Sequence, residues 1–385
     1  MKTPNSNRPH IGIFGRVNVG KSTILNLLTG QKTAITSDTP GATTDPIYKA
    51  MELEGAGPVV FIDTGGLLDK SELGSARKSK TIAVSKKCDG AILVFARDFC
   101  PETAELKKKL SVPVIAVIND FGDNKAQKLA NEIKTALSLE PIIINALNGP
   151  RKILLESLKN ITGNLEEPSL IKGLAKKGDL VVLVMPQDRQ APKGRLILPQ
   201  VQTLRELLDA GIISVCCVPE NFAETLRTLN KTPDLIICDS QVFNLVYEQA
   251  QGAPLTSFSV LMTGQKGDAA LLLEGAKIIA TLNANSRVLI AEACTHAPIE
   301  EDIGKIKIPR MLRAKYGNMK IDFARGDDFP ETNYDLIIHC GACMFNRRFM
   351  QSRIEQSKKA NIPITNYGMA LAFMQGILDK IITPI

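Results

Sequence analysis

Residues 10–28 read HIGIF, GRVNVGKS, TILNLL: an apolar run at 10–14, the segment Gly15-Arg16-Val17-Asn18-Val19-Gly20-Lys21-Ser22, and a helical pattern opening at Thr23. The middle segment fits GxxxxGK[ST], and strand, loop and helix follow in the order that motif requires. Glycines at 15 and 20 let the backbone approach phosphate oxygens closely, while loop N–H groups and the helix N-terminus supply positive potential. Lys21 then reaches β and γ oxygens, and Ser22 ligates Mg²⁺. Gly15, Val17, Asn18, Val19, Gly20, Lys21, Ser22 and Thr23 form the candidate phosphate-binding set. The bland alternative is a degenerate loop kept as scaffold.

Working outward, two more pieces sit at compatible spacing: Pro40-Gly41-Ala42-Thr43-Thr44-Asp45, and the strand-ending Asp63-Thr64-Gly65-Gly66. In a phosphate-loop NTPase a mobile Thr completes the Mg²⁺ shell, an Asp at a strand end holds the metal, and a Gly N–H senses the γ-phosphate. Thr43, Asp63 and Gly66 take these roles; Lys21, Thr43, Gly66 and Asn18 are the catalytic candidates, and Ser22, Thr43 and Asp63 the Mg²⁺ candidates. Across residues 10–162, strand-like runs (HIGIFG, VVFIDT, GAILVFA, VPVIAVIN, PIIINAL) alternate with helical stretches such as 21–29 and 126–139, the rhythm of a doubly wound sheet.

These residues resemble the potassium-dependent TrmE/Era-like GTPases over about 150 residues. The resemblance implies GTP as nucleotide and a K⁺ held with the help of Asn18, where other GTPases use an arginine finger. It also places Leu67 where a catalytic Gln would stand, implying slow intrinsic hydrolysis. The guanine-reading NKxD element departs from the family pattern: the chain has Asn119-Asp120-Phe121-Gly122-Asp123, with Asn119 in place, Gly122 at the specificity position and Asp123 one residue late. The later loop is altered too, with Asn145-Ala146 after PIII. Asn119, Asn145 and Ala146 are carried over as base-side candidates, with weakened guanine discrimination expected.

Residues 163–179, with Gly163, Pro168, Gly173 and Gly178, read as a linker. A fresh β/α alternation follows: DLVVLVMP, a helix near 199–210, IISVCCVP, a helix near 223–229, and DLIICDS. From about 258 a third unit is expected, with strands SVLMT, RVLIAE, MKIDFA, YDLIIH and IPIT; no repeat of 20–50 residues stands out. The expected organisation is α/β throughout: a P-loop domain at 1–166 and two smaller α/β domains at 174–257 and 258–385.

Eight cysteines in a chain with no export signal point to thiols or metal ligands rather than disulfides. Cys88, Cys100, Cys216, Cys217 and Cys238 are dispersed and read as small buried hydrophobes. Cys294-Thr295-His296 and His339-Cys340-Gly341-Ala342-Cys343 differ, because two of only three histidines stand beside the thiols. Both motifs fall just after strands, where open parallel sheets gather ligands. Three cysteines suit a [4Fe–4S] cluster with one iron left to another ligand; Cys₃His zinc and a redox dithiol are the alternatives.

A GTPase domain, a small α/β module and a carboxyl-terminal CxH…HCxxC together resemble the [FeFe]-hydrogenase maturation GTPases, the HydF family, across nearly the whole chain, although the stretch between the motifs is a little short for that pattern. The resemblance implies a dimeric, GTP-hydrolysing scaffold or carrier for the di-iron precursor of the hydrogenase active site. It implies a [4Fe–4S] cluster on Cys294, Cys340 and Cys343, with Glu292, His296 and His339 as candidates for the fourth ligand. It assigns dimerisation to the middle module, whose apolar strands read equally as ordinary core. Implied partners are the [FeFe]-hydrogenase catalytic subunit and the radical-SAM maturases HydE and HydG. Arg310, Arg313, Arg347 and Arg348 read either as solvated charge or as a surface for anionic iron ligands or a partner.

A formal charge of +7 is spread in short pieces such as Lys107–Lys109, and aromatics are 5% with no Trp, so no basic face with stacking residues is expected for nucleic acid. No apolar run reaches the roughly 18 residues of a membrane helix, and a cytoplasmic protein is expected. Two rival readings stand: a tRNA-modification GTPase with a structural zinc site, and a nucleotide-gated switch whose metal is structural only.

Overall fold

Strands whose residues are apolar without alternation need cover on both faces, and the fold supplies it. The computed structural model describes residues 4–30, 46–55, 57–64, 74–163, 165, 168–171, 173–187, 196–293, 302–326, 329 and 333–384, in two compact units, Met1–Glu166 and Glu167–Ile385.

The first unit runs β1 (His10–Phe14), α1 (Lys21–Thr29), β2 (Ile47–Leu53), β3 (Gly57–Asp63), α2 (Gly74–Ser85), β4 (Gly90–Phe95), α3 (Pro101–Lys109), β5 (Val114–Asn119), α4 (Ala126–Leu137), β6 (Ile142–Ile144) and α5 (Arg151–Thr162). The sheet order is β2-β3-β1-β4-β5-β6, parallel except for β2 against β3. One face packs Ile11, Ile13, Ile92 and Val117 on α1 and α5; the other packs Val60, Ile62, Leu93 and Ile118 on α3 and α4. Because β1 lies between β3 and β4, the loop after β1 opens at the point where the winding reverses, the usual crevice for a ligand. Lys107, Lys108 and Lys109 close the last turn of α3, where cations complement the helix dipole.

The second unit runs β7 (Leu180–Val184), α6 (Leu198–Asp209), β8 (Ile213–Cys217), α7 (Phe222–Thr228), β9 (Leu235–Cys238), α8 (Phe243–Gln249), β10 (Leu255–Ser257), α9 (Phe258–Lys266), α10 (Ala269–Lys277), β11 (Arg287–Glu292), α11 (Ile308–Tyr316), β12 (Lys320–Arg325), β13 (Leu336–His339), α12 (Arg347–Lys359), β14 (Ile364–Asn366) and α13 (Tyr367–Met374). Among the described residues it holds two four-stranded parallel sheets, β10-β9-β7-β8 and β14-β13-β11-β12.

Those two orders are the same, and so is the register. Val181 faces Leu235 as Val288 faces Leu336; Leu255 faces Ile236 as Ile364 faces Ile337; Leu180 faces Ile213 as Arg287 faces Lys320. Local chemistry recurs as well. Asp234 accepts from the Leu180 N–H as Asp335 does from Arg287, and Ser257 caps α9 as Asn366 caps α13. The unit is two copies of one module, with Val182, Ile236, Leu289 and Ile337 in a shared core. The two copies lie farther apart in the chain than the roughly 20–50 residues of common repeat units.

Two expectations need correction. SVLMT (259–263) is not a strand but the interior of α9, capped by the Ser257 hydroxyl after the short β10. Its apolar residues run continuously because the helix is packed on several sides, a pattern that period alone does not separate from a buried strand. Cys216 is exposed and Cys217 half-buried, because β8 is an edge strand; Cys88, Cys100 and Cys238 are buried. Cys100 also caps α3, its Sγ accepting from the Thr103 N–H.

Candidate functional site

In the first unit the loop 15–20 turns tightly enough to need positive φ at Asn18 (63°) and Gly20 (91°). Side chains are excluded at both ends: a Cβ on Gly15 would strike the Val94 carbonyl, and one on Gly20 the Asn119 amide. Lys21 is buried, with Nζ donating to the carbonyls of Arg16 (2.8 Å) and Gly15 (3.3 Å). Desolvation lowers its pKa to about 8 despite the nearby Asp63. Ser22 Oγ donates to Asp63 Oδ2 at 2.8 Å, so the two groups expected on Mg²⁺ converge; burial pushes the Asp63 carboxyl up, against the Ser22 bond and the Lys21 charge.

Asn119 ties the base side to the phosphate side. Its Nδ2 donates to the Val19 carbonyl at 3.1 Å and its Oδ1 accepts from the Ala146 N–H at 3.0 Å, while Asn145 Oδ1 accepts from Leu147 N–H. Asp120 turns back to accept from Gly122 N–H, and Asp123 pairs with Arg97 at 3.8 Å and accepts from Lys125 N–H. Thr43, Gly66 and Leu67 lie outside the described residues.

In the second unit β11 and β13 are neighbours, and β12 and β14 lie outside them, so the winding reverses between the strands that precede the two Cys/His motifs. Cys340 Sγ accepts from the Ala293 N–H at 3.1 Å, which sets this thiol beside the residue preceding Cys294. Cys340 and Cys343 are both half-buried. Cys294 and His296 lie outside the described residues. Among the described residues no group of three or more His, Cys, Asp or Glu side chains is gathered as a metal site.

His339 is buried, its Nδ1 2.7 Å from the Cys340 carbonyl; a carbonyl only accepts, so Nδ1 carries the proton. Glu292, the last residue of β11, accepts from the Tyr367 hydroxyl (3.4 Å) and pairs with Arg325 (3.5 Å). Burial, Asp302 and Cys340 push its carboxyl up, partly offset by Arg325 and Tyr367; burial and the charges of Cys340 and Glu292 push the Tyr367 phenol up. Arg310 and Arg313 are exposed, and Arg348 pairs with Glu355 at 3.3 Å.

Residue types in the sequence did not reveal Lys266, which closes α9 and sends its ammonium into the 342–345 loop. The available signal was one cation at the end of an otherwise uncharged helix.

A phosphate-binding loop at the switch point of a doubly wound sheet, with Asn119 bridging to the 145–147 loop, defines the first unit as a P-loop GTPase domain, here followed by two further α/β modules. Residues 10–120 match a family model described as a 50S ribosome-binding GTPase, residues 170–267 one for the hydrogen maturase F dimerization domain, and residues 270–384 one for the hydrogen maturase F tetramerization domain. The chain belongs to the hydrogen maturase F family.

Similar proteins include GTPase Der of Wolinella succinogenes, 34% identical over 154 residues that are 36% of this chain and 32% of the relative. GTPase Der of Campylobacter concisus is 31% identical over 208 residues, 49% of this chain and 43% of the relative. The chain thus spans a third to two fifths of the length of these curated relatives. Among solved structures, Era in complex with MgGDPNP and a 16S ribosomal RNA segment aligns at 21% identity, covering 58% of this chain and 98% of that one with a TM-score of 0.36.

Proposed function

We propose that this chain is a Mg²⁺-dependent, potassium-stimulated GTPase, and that it carries a [4Fe–4S] cluster as scaffold or carrier for the di-iron precursor of the [FeFe]-hydrogenase active site. The membership of the family and the built phosphate loop support the first half. Loop amides and Lys21 hold the phosphates, Ser22 and Asp63 converge where Mg²⁺ binds, and Asn119 locks the base-side loop to the phosphate loop. Thr43 and Gly66 complete the metal shell and sense the γ-phosphate, and Asn18 helps hold K⁺.

One observation carries the second half: adjacent strands β11 and β13 bring Cys340 against Ala293, next to Cys294, with Cys343 three residues on. Soft thiolates on loops at a sheet switch point fit an iron–sulfur cluster, and an N–H aimed at Sγ stabilises a thiolate ligand. Cys294, Cys340 and Cys343 would hold the cluster, which supplies a redox-active iron centre with one iron open to exchange. Glu292, His296 and His339 are the candidates for the fourth ligand. The expected division is hydrolysis in 1–166, pairing of copies through the module beginning at 174, and the cluster in the module ending at 385. Partners are then a second copy, the hydrogenase catalytic subunit and the radical-SAM maturases HydE and HydG, in the cytoplasm. No helix among the described residues is long and apolar enough to cross a membrane.

Anaerobic purification with iron, sulfide and zinc analysis tests this. About four irons per chain, with broad visible absorption abolished by Ala at Cys294, Cys340 or Cys343 singly, is the expected result. A colourless protein with stoichiometric zinc would replace it with a GTPase carrying a structural zinc site.

A further inference from the structure

Lys266 belongs to the first module of the second unit, yet its ammonium is spent on the second. The side chain is 3% exposed, and Nζ donates to three main-chain carbonyls: Ala342 (3.1 Å), Cys343 (3.0 Å) and Phe345 (2.7 Å). These three residues lie in or just after the Cys-x-x-Cys loop that follows β13. An ammonium has three N–H donors and strongly prefers full solvation, so burying one demands partners of this kind. The loop in turn needs a strut. Ala342 sits at φ 46°, which a Cβ-bearing residue seldom adopts, and the Phe345 N–H closes back on the Ala342 carbonyl at 3.0 Å.

The matching helix position in the other copy carries no cation. There α13, the counterpart of α9, packs on the Ser240–Val242 turn after β9. By register from Phe258 and Tyr367, the first residues of the two helices, Lys266 corresponds to Gln375. The module with the Cys-x-x-Cys loop therefore receives a buried positive charge from a helix position at which the other copy carries an uncharged glutamine.

Resting on the iron–sulfur reading above, we propose that Lys266 is the positioning residue of the cluster loop. It holds residues 342–345 in their ligating shape before a cluster arrives, and it places a buried positive charge beside the thiolate-ligated cluster afterwards. The consequence for redox follows from charge alone. A [4Fe–4S] core of +2 on three thiolates totals about −1 before any charge on the fourth ligand is added, and one-electron reduction makes the total one unit more negative. A fixed cation stabilises the more negative state, so it raises the reduction potential, and its removal lowers it.

The test uses the full chain, reconstituted anaerobically with iron and sulfide. Lys266→Met keeps the length of the stem but removes the charge and the donors. Expected is a shift of the cluster potential to a more negative value and faster iron loss to a chelator, with Lys266→Arg moving the potential back toward that of the unaltered chain. A potential equal in the unaltered chain and in Lys266→Met overturns the proposal while leaving the cluster in place. Should Lys266→Met fail to fold, hydrogen exchange on the unaltered chain decides: amides of 342–346 protected alike before and after loading support the strut, and protection gained only on loading overturns it. An unaltered chain that takes up no iron and sulfide fails at the underlying iron–sulfur reading, a result visible before any variant is made.

Discussion

Lys21 is charged in a place that resists charge. Its pKa of about 8 means that the nucleotide-free protein loses this proton well below the ordinary lysine value of 10.5. Between those values the unfolded chain binds more protons than the folded one, so this group makes stability rise with pH across that window. Phosphate oxygens stabilise the ammonium and push its pKa back up. Nucleotide binding at pH 9 should therefore take up close to one proton, roughly the difference between the free and bound titrations of one lysine. Affinity should fall as pH rises above 8. Calorimetry in buffers of differing ionisation enthalpy reads the uptake directly; binding heats independent of buffer would show that Lys21 stays protonated in the free protein. On the base side, Gly122 offers no carboxylate to a purine, and Asp120 and Asp123 have other partners, Gly122 N–H and Arg97. Competition between GTP and ATP should accordingly show weaker discrimination than a carboxylate at position 122 would give, since a site that bonds a ligand's polar edge rejects analogues best. Strong guanine preference would mean that Asp123 leaves Arg97 for the base. The phosphate side of this site was legible in the sequence because GxxxxGK[ST] fixes backbone conformation and ligand together. Lys266 was not legible, because its partners are carbonyls, which leave no mark on the residues that carry them.

Among the elements, β8 stands apart. It is an edge strand, Ile213 on it is 55% exposed, and Leu208 on the adjoining α6 is 60% exposed. Among the described residues no strand pairs with the outer side of β8, and an apolar edge of this kind invites another strand. The register supplies its own control, since Lys320 occupies on β12 the position that Ile213 occupies on β8. Ile213→Lys should reduce the chain's mass in sedimentation velocity from that of a dimer toward a monomer, with little effect on the fold. An unchanged sedimentation coefficient would move the pairing surface elsewhere in the module. Strand positions were mostly readable from apolar runs of the right length. The exception at SVLMT had a cause: Ser257 is a helix cap, and a three-residue β10 is too short to announce itself before it. The exposure of Cys216 was hidden for a related reason. Composition describes a strand as apolar, but only its neighbours decide whether it ends at an edge.

For the molecule as a whole, the chain divides into two units after Glu166, and the doubling inside the second unit does not announce itself in the sequence. Asp234-Leu235-Ile236-Ile237 and Asp335-Leu336-Ile337-Ile338 are identical in type, as are Pro254 and Pro363, yet the connections between them differ in length, so no fixed period appears. What the two copies share is hydrogen bonding and register, and these survive changes of loop. The Cys/His motifs read as ligand candidates from residue type alone, while the approach of Cys340 to Ala293 needed the strand order, because nothing in the sequence states that β11 and β13 are neighbours. The doubling also bears on how the chain reaches its native state. Two strands of type DLII fit the centre of either sheet with the same partners on either side, so an unfolded chain diluted from denaturant can close the wrong one into the first sheet and strand the other. During synthesis that ambiguity does not arise, since the first sheet can be complete before the second copy of the strand leaves the ribosome. The order in which the halves are made is thus part of the information that keeps them apart.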